Sequence, residues 1–246
     1  MNLFIGHGSP MNAIENNEYT NAWSELGKLF KPKGILMISA HWVTDGTKVQ
    51  TVSKPKKIDD MYGFPKALYD LKYPVSGDID LSHQVMDLVG AEEDNSWGID
   101  HGAWSILVHM YPKADVPVVQ MSLDKNLSPK EMFEMGRKLK VLNEKGYSII
   151  GSGNVVHSFK YMNMTEPQPF AVEFDHVIEK YVKANDSDKV INYHLIDDYD
   201  KSFQTSEHFD PLIYVLGASE GSEVEVFNRG VEMGAFSMTS YILKRA

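Results

Sequence analysis

Continuous apolar runs rich in β-branched residues recur along this chain, at Leu3-Phe4-Ile5, Ile35-Leu36-Met37-Ile38 and Ile149-Ile150. Runs of this kind, separated by stretches of helical periodicity, mark strands buried on both faces of a parallel sheet, because crossover helices cover each face. A histidine follows shortly after each run: His7, His41 and His157. In open α/β sheets ligands bind just outside the carboxyl ends of the strands. Three imidazoles from distant parts of the sequence are therefore expected to converge on one edge of one sheet, which is how a metal site is assembled.

The rest of the pattern reads as one α/β domain over residues 1–246, with a mainly parallel central sheet and helices on both faces. Helical spacing is expected over 22–30, 81–89, 103–110, 128–143, 169–183 and 210–216. The fourth of these opens with Ser128-Pro129-Lys130-Glu131, a capping box with proline at the first helical position. Further strands are expected at 48–53, 116–123, 223–227 and 235–243. Residues 54–78 are rich in Pro, Gly, Tyr and Asp without periodicity. Long irregular segments inside compact domains are more often functional loops than accidents, so the stretch around 60–75 is expected to close over a ligand.

Composition narrows the chemistry. With 43% hydrophobic residues in 246, the chain can bury a full core. A formal charge of −10 argues against a nucleic-acid or anionic-membrane partner, both of which call for clustered Lys and Arg. The compact basic run Lys54-Pro55-Lys56-Lys57 reads as a solvated loop. The absence of cysteine removes disulfides, thiolate ligands and a Cys nucleophile, leaving His, Asp and Glu to hold a metal. No apolar stretch approaches bilayer length and no basic leader precedes the first strand, so the expected location is the cytoplasm.

Five of the nine histidines stand in punctuated motifs. Gly6 and Gly8 flank His7, allowing a sharp turn at a strand end and a close backbone approach. His101 follows Asp100 and precedes Gly102 at a helix start. Glu207-His208 precede the apolar run of 212–216; adjacent helical residues point about 100° apart, so one of the two is expected to reach a metal. His83, His109, His176 and His194 lie in helical or mixed stretches and read as structural. Gly151-Ser152-Gly153-Asn154 lacks the third glycine of a dinucleotide loop, since Val156 stands there. Gly217-Ala218-Ser219-Glu220-Gly221 matches a nucleophile elbow formally, but no histidine follows His208, as that elbow's triad order requires.

Taken together, the motifs resemble the class III extradiol ring-cleavage dioxygenases, in the branch that contains the DOPA extradiol dioxygenases. The segments that carry the resemblance include His7-Gly8-Ser9-Pro10, Ser39-Ala40-His41-Trp42, Tyr62-Gly63-Phe64-Pro65, Asp100-His101-Gly102-Ala103-Trp104, Gly151-Ser152-Gly153-Asn154 with His157, and Glu207-His208-Phe209. They run in order from the first strand almost to the carboxyl end. The resemblance implies His7, His41 and His208 as metal ligands, His157 as acid/base, and His101 as a second active-site histidine that contacts substrate or dioxygen. The wider class is known for two histidines and a glutamate, whereas this branch looks like three histidines, so the choice of His208 over Glu207 is implied by the resemblance alone. The implied cofactor is Fe(II), although a neutral three-His set also suits Zn(II).

The implied partners are a small aromatic diol and O₂, in a monomer or small homo-oligomer. Trp42, Tyr62, Phe64 and Trp104 are the candidates to stack on the ring. A His157 with a pKa near neutrality would take and return the catechol proton. Two rival readings keep the histidines: a zinc hydrolase that activates water at the same site, and a metal-binding module that has lost catalysis.

Overall fold

The computed structural model describes residues 1–244. In chain order its elements are β1 (Asn2–Gly6), α1 (Glu18–Leu29), β2 (Gly34–Thr44), β3 (Lys48–Val49), α2 (Lys66–Asp70), α3 (Ile79–Val89), β4 (Glu92–Glu93), α4 (His101–Met110), β5 (Val118–Asp124) and α5 (Pro129–Leu139). There follow β6 (Tyr147–Gly153), α6 (Pro169–Lys183), α7 (Ser187–Ile191), α8 (Tyr199–Ser202), α9 (Asp210–Ala218), β7 (Glu223–Phe227), β8 (Val231–Glu232), β9 (Phe236–Ser237) and β10 (Ser240–Lys244).

The main sheet has the order β4-β3-β5-β2-β6-β1-β10-β7. Its centre, β5-β2-β6-β1, is parallel throughout, while β3 and β10 join it antiparallel at either side. Side-chain alternation along each central strand feeds two separate cores. Leu3, Ile5, Ile35 and Met37 pack on one face with Trp23 of α1 and Trp104 of α4. Phe4, Leu36 and Ile38 pack on the other with Phe133 of α5, Phe174 of α6 and Tyr214 of α9. Both faces being covered explains why these strands read as unbroken apolar runs.

Two helices on the second face meet at backbone distance. A Cβ at Gly136 of α5 would fall 2.1 Å from the Tyr214 carbonyl oxygen, and one at Gly217 of α9 would fall 2.1 Å from that of Phe133. A side chain at either position would push α9 off α5, and α9 carries the segment that includes His208.

Several expected boundaries move. The first helix begins at Glu18, because Asn17 and Thr20 form a reciprocal cap upstream of the apolar spacing. The 48–53 strand shortens to Lys48–Val49. His41 does not end its strand: β2 continues to Thr44 after its register with β5 breaks between Ile38 and Val43. The 235–243 strand is two strands, with β9 pairing β8 in a separate ribbon and β10 entering the main sheet. The irregular 54–78 stretch holds the short helix α2. Among the described residues no helix is long and apolar enough to cross a membrane.

Candidate active site

At the carboxyl ends of β1, β2 and β6 the five motif histidines come together around one cavity of about 440 Å³. His7 follows β1 directly, and its N–H donates to the Gly153 carbonyl at 3.1 Å, extending the β1–β6 pairing by one residue. The chain then turns through Gly8 at φ 60°, a conformation glycine adopts without strain. His101 is the first residue of α4, whose start is capped by the buried Asp100. His208 closes a single turn, Ser206–His208, just ahead of α9.

That turn lies against β6. The Asn154 N–H donates to the His208 carbonyl at 2.8 Å, and a Cβ at Gly153 would fall 2.0 Å from the same oxygen. The motif 151–154 thus serves backbone packing rather than nucleotide binding. Glycine at 153 lets the His208 turn sit on the strand end, and Asn154 N–H pins it.

His7, His41 and His208 each offer a ring nitrogen, and these nitrogens lie within 4.8 Å of one another. His7 Nε2 and His41 Nε2 are 3.2 Å apart. The tautomer of His7 follows from its neighbours. The Ser152 hydroxyl donates its one hydrogen to the Gly102 carbonyl at 2.5 Å, so it can only accept from His7 Nδ1–H, at 2.9 Å. His7 Nε2 therefore carries a bare lone pair.

His208 is buried, and neither of its ring nitrogens has a hydrogen-bond partner. Orphaned buried polar atoms are uncommon and call for an explanation. Burial pushes His7 and His208 well below the ordinary imidazole pKa, with the surrounding imidazoles adding to the effect. His41 is lowered to about 3, chiefly by burial and then by His101. A set of neutral, converging nitrogens that cannot all be protonated, one of them without a partner, fits a divalent cation. A second trio, His41, Asp60 and His101, is equally compact. Its carboxylate, however, is already engaged within the protein, which favours the all-histidine set.

Asp60 accepts from the His101 backbone N–H at 2.8 Å and from His101 Nδ1 at 2.8 Å, and its Oδ2 lies 3.4 Å from His41 Nδ1. Burial pushes this carboxyl up, but the hydrogen bonds and charge of His101 and the proximity of His41 outweigh it and hold the pKa below the usual value. One carboxylate thereby orients two imidazoles, as metal-site carboxylates commonly do. His157 stacks on His208 with centroids 3.5 Å apart and planes 9° apart, and meets Phe159 and Phe236 edge-on. Burial lowers it to about 4, with Glu207 opposing, so the near-neutral value expected from sequence is not met.

Of the proposed ring-stacking residues, Tyr62 and Phe64 line the cavity and Trp42 and Trp104 do not. Trp42 follows His41 on a strand, where successive side chains point to opposite faces, and is buried. Trp104 is sealed in the core, its Nε1 donating to the Ile58 carbonyl. Of the adjacent pair, His208 lines the cavity and Glu207 does not, its carboxylate lying 3.6 Å from His208 Nδ1. His83, His109, His176 and His194 do not line the cavity, and His109 bonds the Asn12 carbonyl. The elbow-like segment lies elsewhere, Ser219 accepting from Asn2 at the start of β1.

Asp60, Ser152, Phe159, Met162, Met233 and Phe236 were not singled out from sequence. Asp60 sits in the irregular 54–78 stretch, where no periodicity ranks one carboxylate above another. Ser152 could have been suspected as a buried hydroxyl on an apolar strand.

A family model described as the catalytic LigB subunit of aromatic ring-opening dioxygenase matches residues 3–244. The chain belongs to the LigB family. Among LigB-family relatives it is 42% identical to an Escherichia coli K12 protein named 4,5-DOPA dioxygenase extradiol, over 97% of this chain and 92% of that one. A Beta vulgaris protein of the same name is 35% identical over 97% of this chain and 94% of its own length. The crystal structure of an uncharacterised E. coli K12 protein superposes with a TM-score of 0.82 at 37% identity, covering 97% of both chains. The chain is therefore an enzyme of the extradiol dioxygenase family with a LigB fold.

Proposed function

We propose that the protein is a non-haem Fe(II) extradiol dioxygenase that opens the ring of a substituted catechol with O₂, through one catalytic domain spanning the chain. His7, His41 and His208 hold the metal. The observation that carries this reading is the buried His208, without a partner for either ring nitrogen, facing two other neutral imidazoles. The relatives named for DOPA support a catechol of that general kind. Bound at this triad, the ion would bind the catechol oxygens and O₂ and supply a route for electrons between them.

The chain's own groups manage the protons and the ring. His157, neutral above about pH 4, takes the proton of a catechol hydroxyl and returns it to the departing oxygen. His101, whose Nδ1 hydrogen is held by Asp60, keeps Nε2 for a hydrogen bond to substrate or O₂. Phe64, Phe159 and Phe236 flank the ring and exclude water, and the segment around Tyr62 closes above it. Both atoms of O₂ enter the product, a muconic semialdehyde type of chain.

The test is anaerobic loading with Fe(II) followed by catechol-dependent O₂ uptake and the yellow colour of a ring-opened product. His208→Ala is expected to lose the metal and Glu207→Gln to keep it; the reverse ranking would put Glu207 in the coordination set. Zinc retention with ester or amide hydrolysis and no O₂ uptake would favour the hydrolase instead.

A further inference from the structure

We propose that Met233 limits the length of the ring substituent the site accepts, as the wall between the active-site cavity and a second hollow beside it. This rests on the dioxygenase reading and narrows its substrate class. Next to the cavity of about 440 Å³ that holds the histidines lies another of about 370 Å³, lined by residues 163–167 and 231–234. Among the described residues Met233 alone lines both. Shortening its side chain would join the two spaces.

The backbone at this position is unusual for the residue it carries. Met233 opens the turn between β8 and β9, whose last pair is Glu232 with Phe236. Its φ is 45°, and Gly234 follows at 78°. Two successive positive φ values are the pattern of type I′ turns, for which Asn or Asp followed by Gly is preferred. Among the described residues five non-glycines have positive φ, and three of them are Asn or Asp, whose short polar side chains can hydrogen-bond locally. Methionine has no such compensation. Strain of this kind persists only where the surroundings over-determine the backbone. Here the 158–168 segment does so, as the N–H groups of Asn163, Gln168 and Ser158 donate to the carbonyls of Met233, Gly234 and Ala235 at 3.0, 2.7 and 3.0 Å. The turn is also seated closely, since a Cβ at Gly234 would fall 2.4 Å from Asn163 Nδ2. A turn built for stability alone would carry Asn at 233. The gain from methionine lies in the cavity, where an unbranched apolar chain fills an irregular gap and stops a long substituent.

The experiment compares 4-methylcatechol, 4-propylcatechol and 4-hexylcatechol with Fe(II)-loaded protein, by kcat/KM from O₂ uptake and by anaerobic binding titration. The unmodified protein is expected to lose affinity and kcat/KM at the hexyl compound. In Met233→Ala and Met233→Gly the hexyl-to-methyl ratio should rise roughly tenfold or more, chiefly through KM, since each methylene newly buried contributes roughly fourfold. Met233→Leu, which keeps the bulk, should hold the wild-type ratio. The metal-free proteins read the strain separately: Met233→Gly should melt roughly 2 °C or more above Met233→Ala, the reverse of the usual order of glycine and alanine. An unchanged ratio in both shortened variants, equal acceptance of the hexyl and methyl compounds by the unmodified protein, or a Met233→Ala protein more stable than Met233→Gly overturns the proposal. A chain-length shift in binding without O₂ uptake from any catechol overturns the dioxygenase reading and leaves Met233 standing as the wall.

Discussion

Gly153→Ala tests whether the proposed metal triad depends on backbone packing at a residue that is not itself a ligand. A Cβ at 153 lies 2.0 Å from the His208 carbonyl oxygen, and contacts under 3.0 Å are essentially never seen, so β6 and the Ser206–His208 turn must part by about 1 Å. Metal ligation tolerates roughly ±0.2 Å in ligand distance. The His208 imidazole is thereby drawn out of reach, and the bond from Asn154 N–H to His208, now 2.8 Å, is broken. Overpacking of this kind costs about 1–3 kcal/mol, which in a chain of this size lowers Tm by roughly 2–12 °C.

Gly151→Ala is the graded comparison. Its Cβ would meet the Pro211 carbonyl oxygen at 2.7 Å and Val215 Cγ2 at 2.8 Å, an overlap of about 0.3 Å at most that small shifts of α9 absorb. The measurements are metal content after loading with Fe(II) or Zn(II), and Tm with and without metal. Wild type and Gly151→Ala should gain Tm with metal, as any ligand of the native state stabilises it; Gly153→Ala should gain none. A Gly153→Ala protein that holds one metal per chain with wild-type affinity would refute the claim that this glycine positions His208.

Asp60→Asn removes the carboxylate that accepts from His101 and lies beside His41 while keeping its size; metal affinity or kcat should fall by roughly 10–100-fold, read by chelator competition and O₂ uptake, and an effect under twofold would dismiss Asp60 as an orienting group. His157→Ala should keep the metal and still bind catechol but turn over ~10²–10⁴-fold more slowly; loss of the metal would make His157 a ligand. His157 also affects stability with pH in the metal-free protein. Its folded pKa of about 4 lies below the ordinary value near 6.5, so as pH falls through that window the unfolded chain takes up the proton first and the native state loses stability, by order 3 kcal/mol. Buried Asp175 and Asp210, raised to about 6 and about 7, act in the opposite sense. The informative quantity is therefore the Tm difference between wild type and His157→Phe from pH 6.5 to 4, and a difference that does not change with pH would contradict the buried, neutral assignment.

The parallel centre of the sheet was legible in sequence because strands covered on both faces need apolar residues at every position, and Leu3–Ile5, Ile35–Ile38 and Ile149–Ile150 have them. The five motif histidines were legible for a related reason. Chain reversals at strand and helix ends need Gly, Pro or a capping Asp, and this punctuation marks His7, His101 and the stretch before His157. The choice of His208 over Glu207 came from the resemblance of the ordered motifs alone; in the fold His208 is buried and Glu207 half-buried. What only the tertiary structure decided are contacts between segments far apart in the chain. Asp60 reaches His101 across 41 residues, Ser152 joins His7 to Gly102, and Gly153 admits the His208 turn. Apart from the hydroxyl of Ser152 on an apolar strand, these leave no local trace, because a carboxylate or a missing Cβ acquires its role only from what folding brings against it. The same holds for the cavity wall. Met162 and Met233 come from connections and Phe236 from the two-residue strand β9, segments whose packing follows no sequence period.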